Sequence, residues 1–139
     1  MSVVLDASMT IAWLFEDEQS PVALDVLRRV VTEGAIVPSL WRLEIANVLR
    51  NAVRRQRCDE AYVDQSIERL AQLPITIDSE TDHLAWGATQ TLSREEGLTP
   101  YDAAYLELAL RRQVPLATGD SELVAAARRR GVPVIALRV

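Results

Sequence analysis

The 139-residue sequence contains no lysine, a single histidine (His83) and a single cysteine (Cys58). All fifteen basic residues are arginine. The absence of lysine excludes P-loop nucleotide hydrolysis, Schiff-base chemistry and the receiver-domain phosphorelay, which each depend on a lysine. One histidine excludes a multi-histidine zinc site, and a Ser–His–Asp triad has to run through that residue. One cysteine excludes an internal disulfide, which agrees with a cytoplasmic protein.

Long apolar runs and a leader-like N-terminus are also absent. No apolar run approaches the length of a membrane span, and the N-terminus lacks the basic region of a signal peptide. No Gly-rich phosphate loop follows the first predicted strand. We therefore expect a cytoplasmic protein with no membrane contact.

Carboxylate is the chemistry that remains in quantity, with twenty Asp and Glu residues and a formal net charge of −5. The sequence is 49% hydrophobic and 25% charged, which is ordinary for a globular protein. Its length suits one domain with a real core, so we expect a single domain over residues 1–139.

Short apolar segments alternate with segments of helical periodicity. The segments predicted as strands are 2–6, 35–38, 74–78, 114–118 and 132–137. This alternation predicts an α/β fold with a parallel sheet covered by helices on both faces. In such sheets ligands bind beyond the carboxyl ends of the strands, near a switch in strand order.

Helix-start signals separate these strands. Ser20 with Pro21 opens one helix, and Gly34 closes it. We predict that Ser39 caps a helix reaching about Arg57 and that Ser79 caps a helix reaching "EEG" at 95–97. Two further helices are predicted to start at Asp59 and Thr99.

Three aspartates are predicted to meet at the carboxyl edge of the sheet. Asp6 ends the first strand, Asp120 follows the fourth, and Asp102 lies in a helix that starts near the same edge. Each has an alternative interpretation, because Asp is a favoured helix N-cap. For Asp102 that alternative is weaker, because Thr99 already provides the cap and Pro100 suits the first helical position.

Glu44 is the acid that capping does not explain. We place it in the middle of the helix that starts at Ser39, at the edge of a broad apolar arc. A polar line of Asn47, Asn51 and Arg55 continues from Glu44 along that helix. The alternative is a boundary glutamate whose head lies in water, which is common.

Four carboxylates brought together without basic partners repel each other, and a divalent cation relieves that repulsion. Oxygen-only ligands suit Mg²⁺ or Mn²⁺ better than zinc. Such an ion can activate water and neutralise charge on a phosphoryl group. The residues therefore indicate metal-dependent hydrolysis of a phosphodiester.

Four stretches in order resemble the PIN-domain ribonucleases, and most closely the toxin subunits of VapBC-type toxin–antitoxin pairs. They are "VVLDASMTIAWLFEDE", "VPSLWRLEIANVL", "LTPYDAAYLELAL" and "PLATGDSELVAAARRRGVPVI", which together span nearly the whole chain. By this resemblance the acidic site is formed by Asp6, Glu44, Asp102 and Asp120. Thr118 matches a position that often carries Ser or Thr near the metal, and Ser8 is a weaker supporting candidate.

The resemblance also implies an architecture, an activity and partners. It implies a five-stranded parallel sheet in the order 3-2-1-4-5 and endonucleolytic cleavage of RNA that depends on Mg²⁺ or Mn²⁺. It further implies a homodimer and inhibition by a cognate antitoxin protein. Two other classes stay open: a carboxylate-metal nuclease acting on other nucleic acid, and a non-catalytic interaction protein on the same scaffold.

RNA binding by a protein of charge −5 requires local positive charge. The candidate patches are Arg50, Arg54, Arg55 and Arg57, then Arg111 and Arg112, then Arg128 to Arg130. Solvated helix faces and favourable cations at helix C-termini are the alternative for each patch. We favour Arg55 as an RNA contact, because it continues the line of Glu44.

Overall fold

The computed structural model describes residues 2–137, which form a five-stranded parallel sheet in the order β3-β2-β1-β4-β5. The predicted fold class and the strand order implied by the resemblance are both confirmed. The strands are β1 (Val3–Leu5), β2 (Ala35–Val37), β3 (Ile75–Ile77), β4 (Leu116–Thr118) and β5 (Val134–Ala136). The helices are α1 (Ala7–Ile11), α2 (Pro21–Glu33), α3 (Trp41–Arg54), α4 (Glu60–Ala71), α5 (Thr81–Leu84), α6 (Ala88–Glu96), α7 (Pro100–Arg112) and α8 (Ser121–Arg129), with a short 3-10 turn at Glu16–Glu18.

Strand β1 is the centre of the sheet. Val4 is in register with Ile36 of β2 on one side and with Leu116 of β4 on the other. All three residues of β1 are completely buried, as expected for a strand covered on both faces. The residue that follows β1 therefore lies at the middle of the carboxyl edge, next to the end of β4.

Helix α7 has the longest unbroken run of buried residues among the helices of residues 2–137. Its residues 103–109 are all buried, and it packs against α6, β1 and β4. Glu107 is the charged residue in this run, and Arg111 one turn later pairs with it. Since α7 is held on several sides, its first turn has a fixed place relative to the sheet. No helix of residues 2–137 is long and apolar enough to cross a bilayer.

The predicted caps at Ser20 and Thr99 are confirmed. Ser20 Oγ accepts a hydrogen bond from the amide of Ala23 (3.1 Å), with Pro21 at the first helical position. Thr99 Oγ1 accepts one from the amide of Asp102 (3.1 Å). Asp59 is also the N-cap of its helix, as predicted. These caps follow from local chemistry alone, which is why the sequence identifies them.

The predicted caps at Ser39 and Ser79 are wrong. Helix α3 starts at Trp41 with Leu40 at the N-cap, and α5 starts at Thr81 with Glu80 at the N-cap, neither with a side-chain cap. The Ser39 amide instead donates to Thr81 Oγ1 (3.2 Å), a hydrogen bond between segments that are distant in sequence. A contact with a distant segment, rather than helix capping, therefore fixes the position of Ser39.

The helix predicted from Ser79 to residues 95–97 is two helices. Helix α5 ends at Leu84 and α6 starts at Ala88, after Gly87. Glycine has low helix propensity, and Gly87 leaves the helical conformation with φ −109° and ψ −106°. Helix α3 is also shorter than predicted and ends at Arg54.

Candidate active site

Asp6 and Asp120 come from adjacent strands and serve as helix N-caps. Asp6 follows β1 and accepts a hydrogen bond from the amide of Ser8. Asp120 follows β4, and its Oδ1 accepts from the amides of Glu122 (2.9 Å) and Leu123 (3.3 Å). The capping interpretation is therefore correct for both residues. It does not exclude a second role, because a carboxylate has about four acceptor positions.

Asp102 and Glu44 come from helices rather than from strand ends. Asp102 lies in the first turn of α7, where Thr99 provides the cap and leaves the carboxylate free of that role. Glu44 was predicted to lie in the middle of its helix, but α3 starts later than predicted and Glu44 is in its first turn. Its carboxylate does not cap α3. Instead it accepts a hydrogen bond from the hydroxyl of Tyr105.

The fold brings these four acids together, as the electrostatics of Asp102 demonstrate. Burial is the largest cause that raises the pKa of Asp102, and the negative charges of Asp120, Asp6 and Glu44 add to it in that order, to about 6 in total. Burial is also the main cause of the raised pKa values of Asp6 and Glu44. A charge affects a pKa this way only at short range. The four carboxylates therefore lie close enough to affect one another's protonation, and their role as metal ligands stays a prediction.

The Asp6 carboxylate is fixed by two hydroxyl groups. Ser8 Oγ donates to Asp6 Oδ1 (2.6 Å), and Thr118 Oγ1 donates to Asp6 Oδ2 (2.6 Å). The same hydroxyls accept from the next loop, with Gly119 N donating to Ser8 Oγ (2.9 Å) and Asp120 N donating to Thr118 Oγ1 (3.0 Å). Both hydroxyls therefore join the end of β1 to the end of β4. They lower the pKa of Asp6, against the larger effect of its burial.

Gly119 is tightly enclosed at this junction. A Cβ atom at position 119 would lie 3.0 Å from Leu137 Cδ2 and 3.3 Å from Ser8 Oγ. Those contacts are closer than ordinary van der Waals contact, so a side chain at position 119 requires the side chains of Leu137 and Ser8 to shift by a few tenths of an ångström. Thr118 itself is fully buried, which means that its hydroxyl acts on Asp6 and Asp120 rather than on a ligand in solvent.

No arginine of residues 2–137 forms an ion pair with any of the four acids. Within the same range, no three Asp, Glu, His or Cys side chains are already placed to coordinate one metal ion. Mg²⁺ does not need three protein ligands, because it keeps several waters and binds one or two protein carboxylates. The donors are all oxygen and their charge is uncompensated. The residues present therefore fit a hard divalent cation.

The structure adds two side chains that the sequence analysis did not identify. Glu122 lies two residues after Asp120 and is a further acid that raises the pKa of Asp102. Tyr105 lies three residues after Asp102, on the same face of α7, and binds Glu44. In the sequence, the three-residue spacing from Asp102 was the signal that Tyr105 lies on the same helix face as that acid. The sequence does not show that Tyr105 contacts Glu44 of α3.

The predicted arginine patches divide into paired and unpaired residues. Arg57 pairs with Asp17 (3.1 Å) and Glu18 (3.0 Å), and its guanidinium lies 4.2 Å from the centre of the Phe15 ring. The other paired members are Arg50 with Glu60, Arg111 with Asp78 and Glu107, and Arg129 and Arg130 with Glu96. Arg55 is exposed at the end of α3 and has no ion pair within residues 2–137. For most of the patches, these ion pairs favour the alternative in which the arginines stabilise the protein surface rather than bind RNA.

Comparisons with known proteins agree with this geometry. The PIN domain family model matches residues 3–129. Ribonuclease VapC1 of Mycobacterium tuberculosis is 34% identical over 123 residues, which cover 88% of this chain and 89% of the relative.

Solved structures share the fold at lower sequence identity. PAE2754 from Pyrobaculum aerophilum matches with a TM-score of 0.70 and 22% identity over 97% of this chain and 90% of that one. VapBC2 from Rickettsia felis, solved with a DNA fragment from its promoter, matches with a TM-score of 0.65 and 14% identity over 98% of both chains. Since the family match spans most of the sequence and VapC1 aligns along nearly its whole length, this chain belongs to the PIN-domain family and has a VapC ribonuclease among its relatives.

Proposed function

We propose that this protein is an endoribonuclease that depends on Mg²⁺ or Mn²⁺ and acts as the toxin of a toxin–antitoxin pair. The observation that carries the proposal is the group of four acids, Asp6, Glu44, Asp102 and Asp120, at one edge of the sheet. Burial and the charges of the other three acids together raise the pKa of Asp102 to about 6, and no arginine of residues 2–137 pairs with it. Such a site attracts a cation and repels an anion such as an RNA phosphate. A bound cation removes that repulsion.

In this proposal Asp6, Glu44, Asp102 and Asp120 hold the ion. A bound divalent cation supplies charge neutralisation at the phosphoryl group and lowers the pKa of water. Thr118 and Ser8 fix both oxygens of Asp6, so that the central ligand has one orientation. Asp120 is fixed through its own helix cap. Asp102 lacks such restraints on its carboxylate within residues 2–137, and its pKa is raised to about 6.

The partners of this chain are also part of the proposal. A VapC ribonuclease is a relative, and the matched structure from Rickettsia felis is described as VapBC2. We assign a cognate antitoxin protein and an RNA substrate on that basis, and a homodimer on the family resemblance. An enzyme that cleaves RNA is expected in the cytoplasm. We take the domain to extend over residues 1–139, because β5 lies beyond the matched range and belongs to the same sheet.

The test is cleavage of a mixed RNA pool by the purified protein with Mg²⁺ or Mn²⁺, and with EDTA. Asp6→Ala and Asp102→Asn are the site variants, and Asp64→Asn, at an exposed acid of α4, is the matched control. We expect cleavage that EDTA abolishes, that falls at least about 100-fold in both folded site variants and that persists in the control. Equal cleavage by Asp102→Asn and the wild type would overturn the proposal.

A parallel DNA pool separates the two nuclease classes. Preference for DNA would reassign the substrate while leaving the metal site in place. Absence of cleavage together with absence of Mn²⁺ binding by calorimetry would favour the non-catalytic interaction protein. Purified protein must be shown to be free of antitoxin before either result is interpreted.

A further inference from the structure

The Glu44 carboxylate is held by a residue of a different helix. Tyr105 of α7 donates a hydrogen bond from its hydroxyl to Glu44 Oε1, and the two residues are 61 positions apart in the sequence. Tyr105 and Asp102 are three residues apart on α7 and share a helix face. One helix therefore carries one acid of the candidate metal centre and contacts another.

Tyr105 is buried too deeply to touch a substrate. Its exposed fraction is 1%, and it is among the largest fully buried side chains of residues 2–137. Burial and the charges of Glu44, Asp6 and Asp102 raise its pKa, so the hydroxyl stays protonated and remains a donor. A donor directed at a carboxylate favours the charged form, and this hydrogen bond lowers the pKa of Glu44 against the larger effect of burial.

We infer that Tyr105 is a positioning residue for the candidate metal centre: its hydroxyl fixes the Glu44 carboxylate so that Glu44 and Asp102 face the same cation. The inference rests on the proposed function, since it concerns the affinity of that same site for a divalent cation. Partners that orient a ligating side chain typically contribute a 10–100-fold range of metal affinity or activity. Glu44 makes no other side-chain hydrogen bond within residues 2–137, so losing Tyr105 leaves its carboxylate unrestrained.

Calorimetric titration of the purified protein with Mn²⁺, without RNA, tests this role. Tyr105→Phe removes one hydroxyl and keeps the ring, and we expect roughly 10-fold weaker Mn²⁺ binding. Tyr62→Phe is the matched control, because the Tyr62 hydroxyl also donates to a partner, the carbonyl of Leu14. We expect the control to bind Mn²⁺ like the wild type. Wild-type affinity in Tyr105→Phe would overturn the inference.

A double-mutant cycle distinguishes positioning from a general structural effect. If Tyr105 acts through Glu44, Tyr105→Phe has no further effect on Mn²⁺ affinity in the Glu44→Gln background. An equal loss in both backgrounds would overturn the inference. Glu44→Asp is the second variant, because it keeps the charge and withdraws the carboxylate from Tyr105. It should weaken Mn²⁺ binding to a similar degree, and unchanged affinity would again count against Tyr105.

The wild-type titration separates this inference from the proposed function. If the wild type binds no Mn²⁺ and cleaves no RNA, the proposed function fails and the role of Tyr105 fails with it. If the wild type binds Mn²⁺ and cleaves RNA while Tyr105→Phe is unchanged, only the positioning role fails. Thermal unfolding of each variant establishes that it is folded before its affinity is compared.

Discussion

Thr99 Oγ1 accepts a hydrogen bond from the amide of Asp102 at 3.1 Å, so Thr99 is the N-cap of helix α7 and the carboxylate of Asp102 is available for another role. Thr99 and Asp102 are close in sequence, and either residue type is a favoured N-cap for a helix that starts here. In the structure, the Thr99 side chain satisfies an amide at the start of the helix. Burial and then the negative charges of Asp120, Asp6 and Glu44 raise the pKa of the Asp102 carboxylate.

This division of roles predicts opposite effects of two single substitutions on stability. Thr99→Ala removes the cap and should lower the free energy of unfolding by about 1 kcal/mol. Asp102→Asn removes a charge that its neighbours repel, so metal-free Asp102→Asn should be at least as stable as the wild type at pH 7. Urea denaturation in EDTA measures both. A loss in Asp102→Asn as large as that in Thr99→Ala would mean that Asp102 supports the helix start.

The raised pKa of Asp102 predicts how the stability of the metal-free protein depends on pH. Its pKa is about 6 in the folded protein against an ordinary value of 3.8, so folding favours the neutral form. That contribution is complete below about pH 4 and is lost as the pH rises through 6. We expect the wild type to lose stability relative to Asp102→Asn over this interval, as measured by thermal unfolding in EDTA.

The quantity to compare is the difference in stability between the wild type and Asp102→Asn at each pH, because other acids make the protein less stable as the pH falls. Arg111 lowers the pKa of Asp78, which makes Asp78 stabilising above its unfolded pKa and costs stability as the pH falls. That effect is common to both proteins and cancels. Mn²⁺ at pH 7 should then raise the unfolding temperature of the wild type more than that of Asp102→Asn. If the difference in unfolding temperature between the wild type and Asp102→Asn in EDTA did not change with pH, the raised pKa of Asp102 would be contradicted.

The sequence predicted most of the fold because its signals are local. Alternating short apolar segments indicated a parallel sheet, and strand ends located Asp6 and Asp120 at one edge. Thr99 with Pro100 located the start of α7 and hence Asp102. These inferences need only chain direction and helix-capping chemistry. The strand order itself came from the family resemblance, since no local pattern specifies which strands are neighbours.

The errors arose where a distant residue decides the local structure. Ser39 resembles a cap, but its amide is bound by Thr81, more than forty residues later in the chain. Tyr105 was not identified from the sequence, because only the fold brings Glu44 of α3 beside its hydroxyl. Arg57 belongs to a candidate arginine patch, and its ion pair with the turn at Glu16–Glu18 is formed by residues almost forty positions earlier in the chain. In each case the sequence contains both partners but not their proximity.

The exposed end of α3 carries the remaining prediction, which concerns RNA binding. Asn47, Asn51 and Arg55 form an exposed line that leads away from Glu44. Arg55 is about 16 Å along the helix from Glu44, which a few nucleotides can span. Arg55→Ala should therefore weaken RNA binding, and it should lower the slope of log affinity against log salt by about 0.7, the value for one phosphate contact on a single strand.

Fluorescence anisotropy with RNA in the Asp102→Asn background measures this without cleavage. Arg69→Ala is the matched control, because Arg69 is an exposed arginine in the last turn of α4, outside this line. We expect the control to keep the wild-type salt slope. If Arg55→Ala also keeps that slope, Arg55 does not contact a phosphate, and the RNA path must leave the acidic site in another direction. Since Arg57 and Arg50 are already paired with acids, the next residue to test would then be Arg54 at the end of α3, which forms no ion pair within residues 2–137.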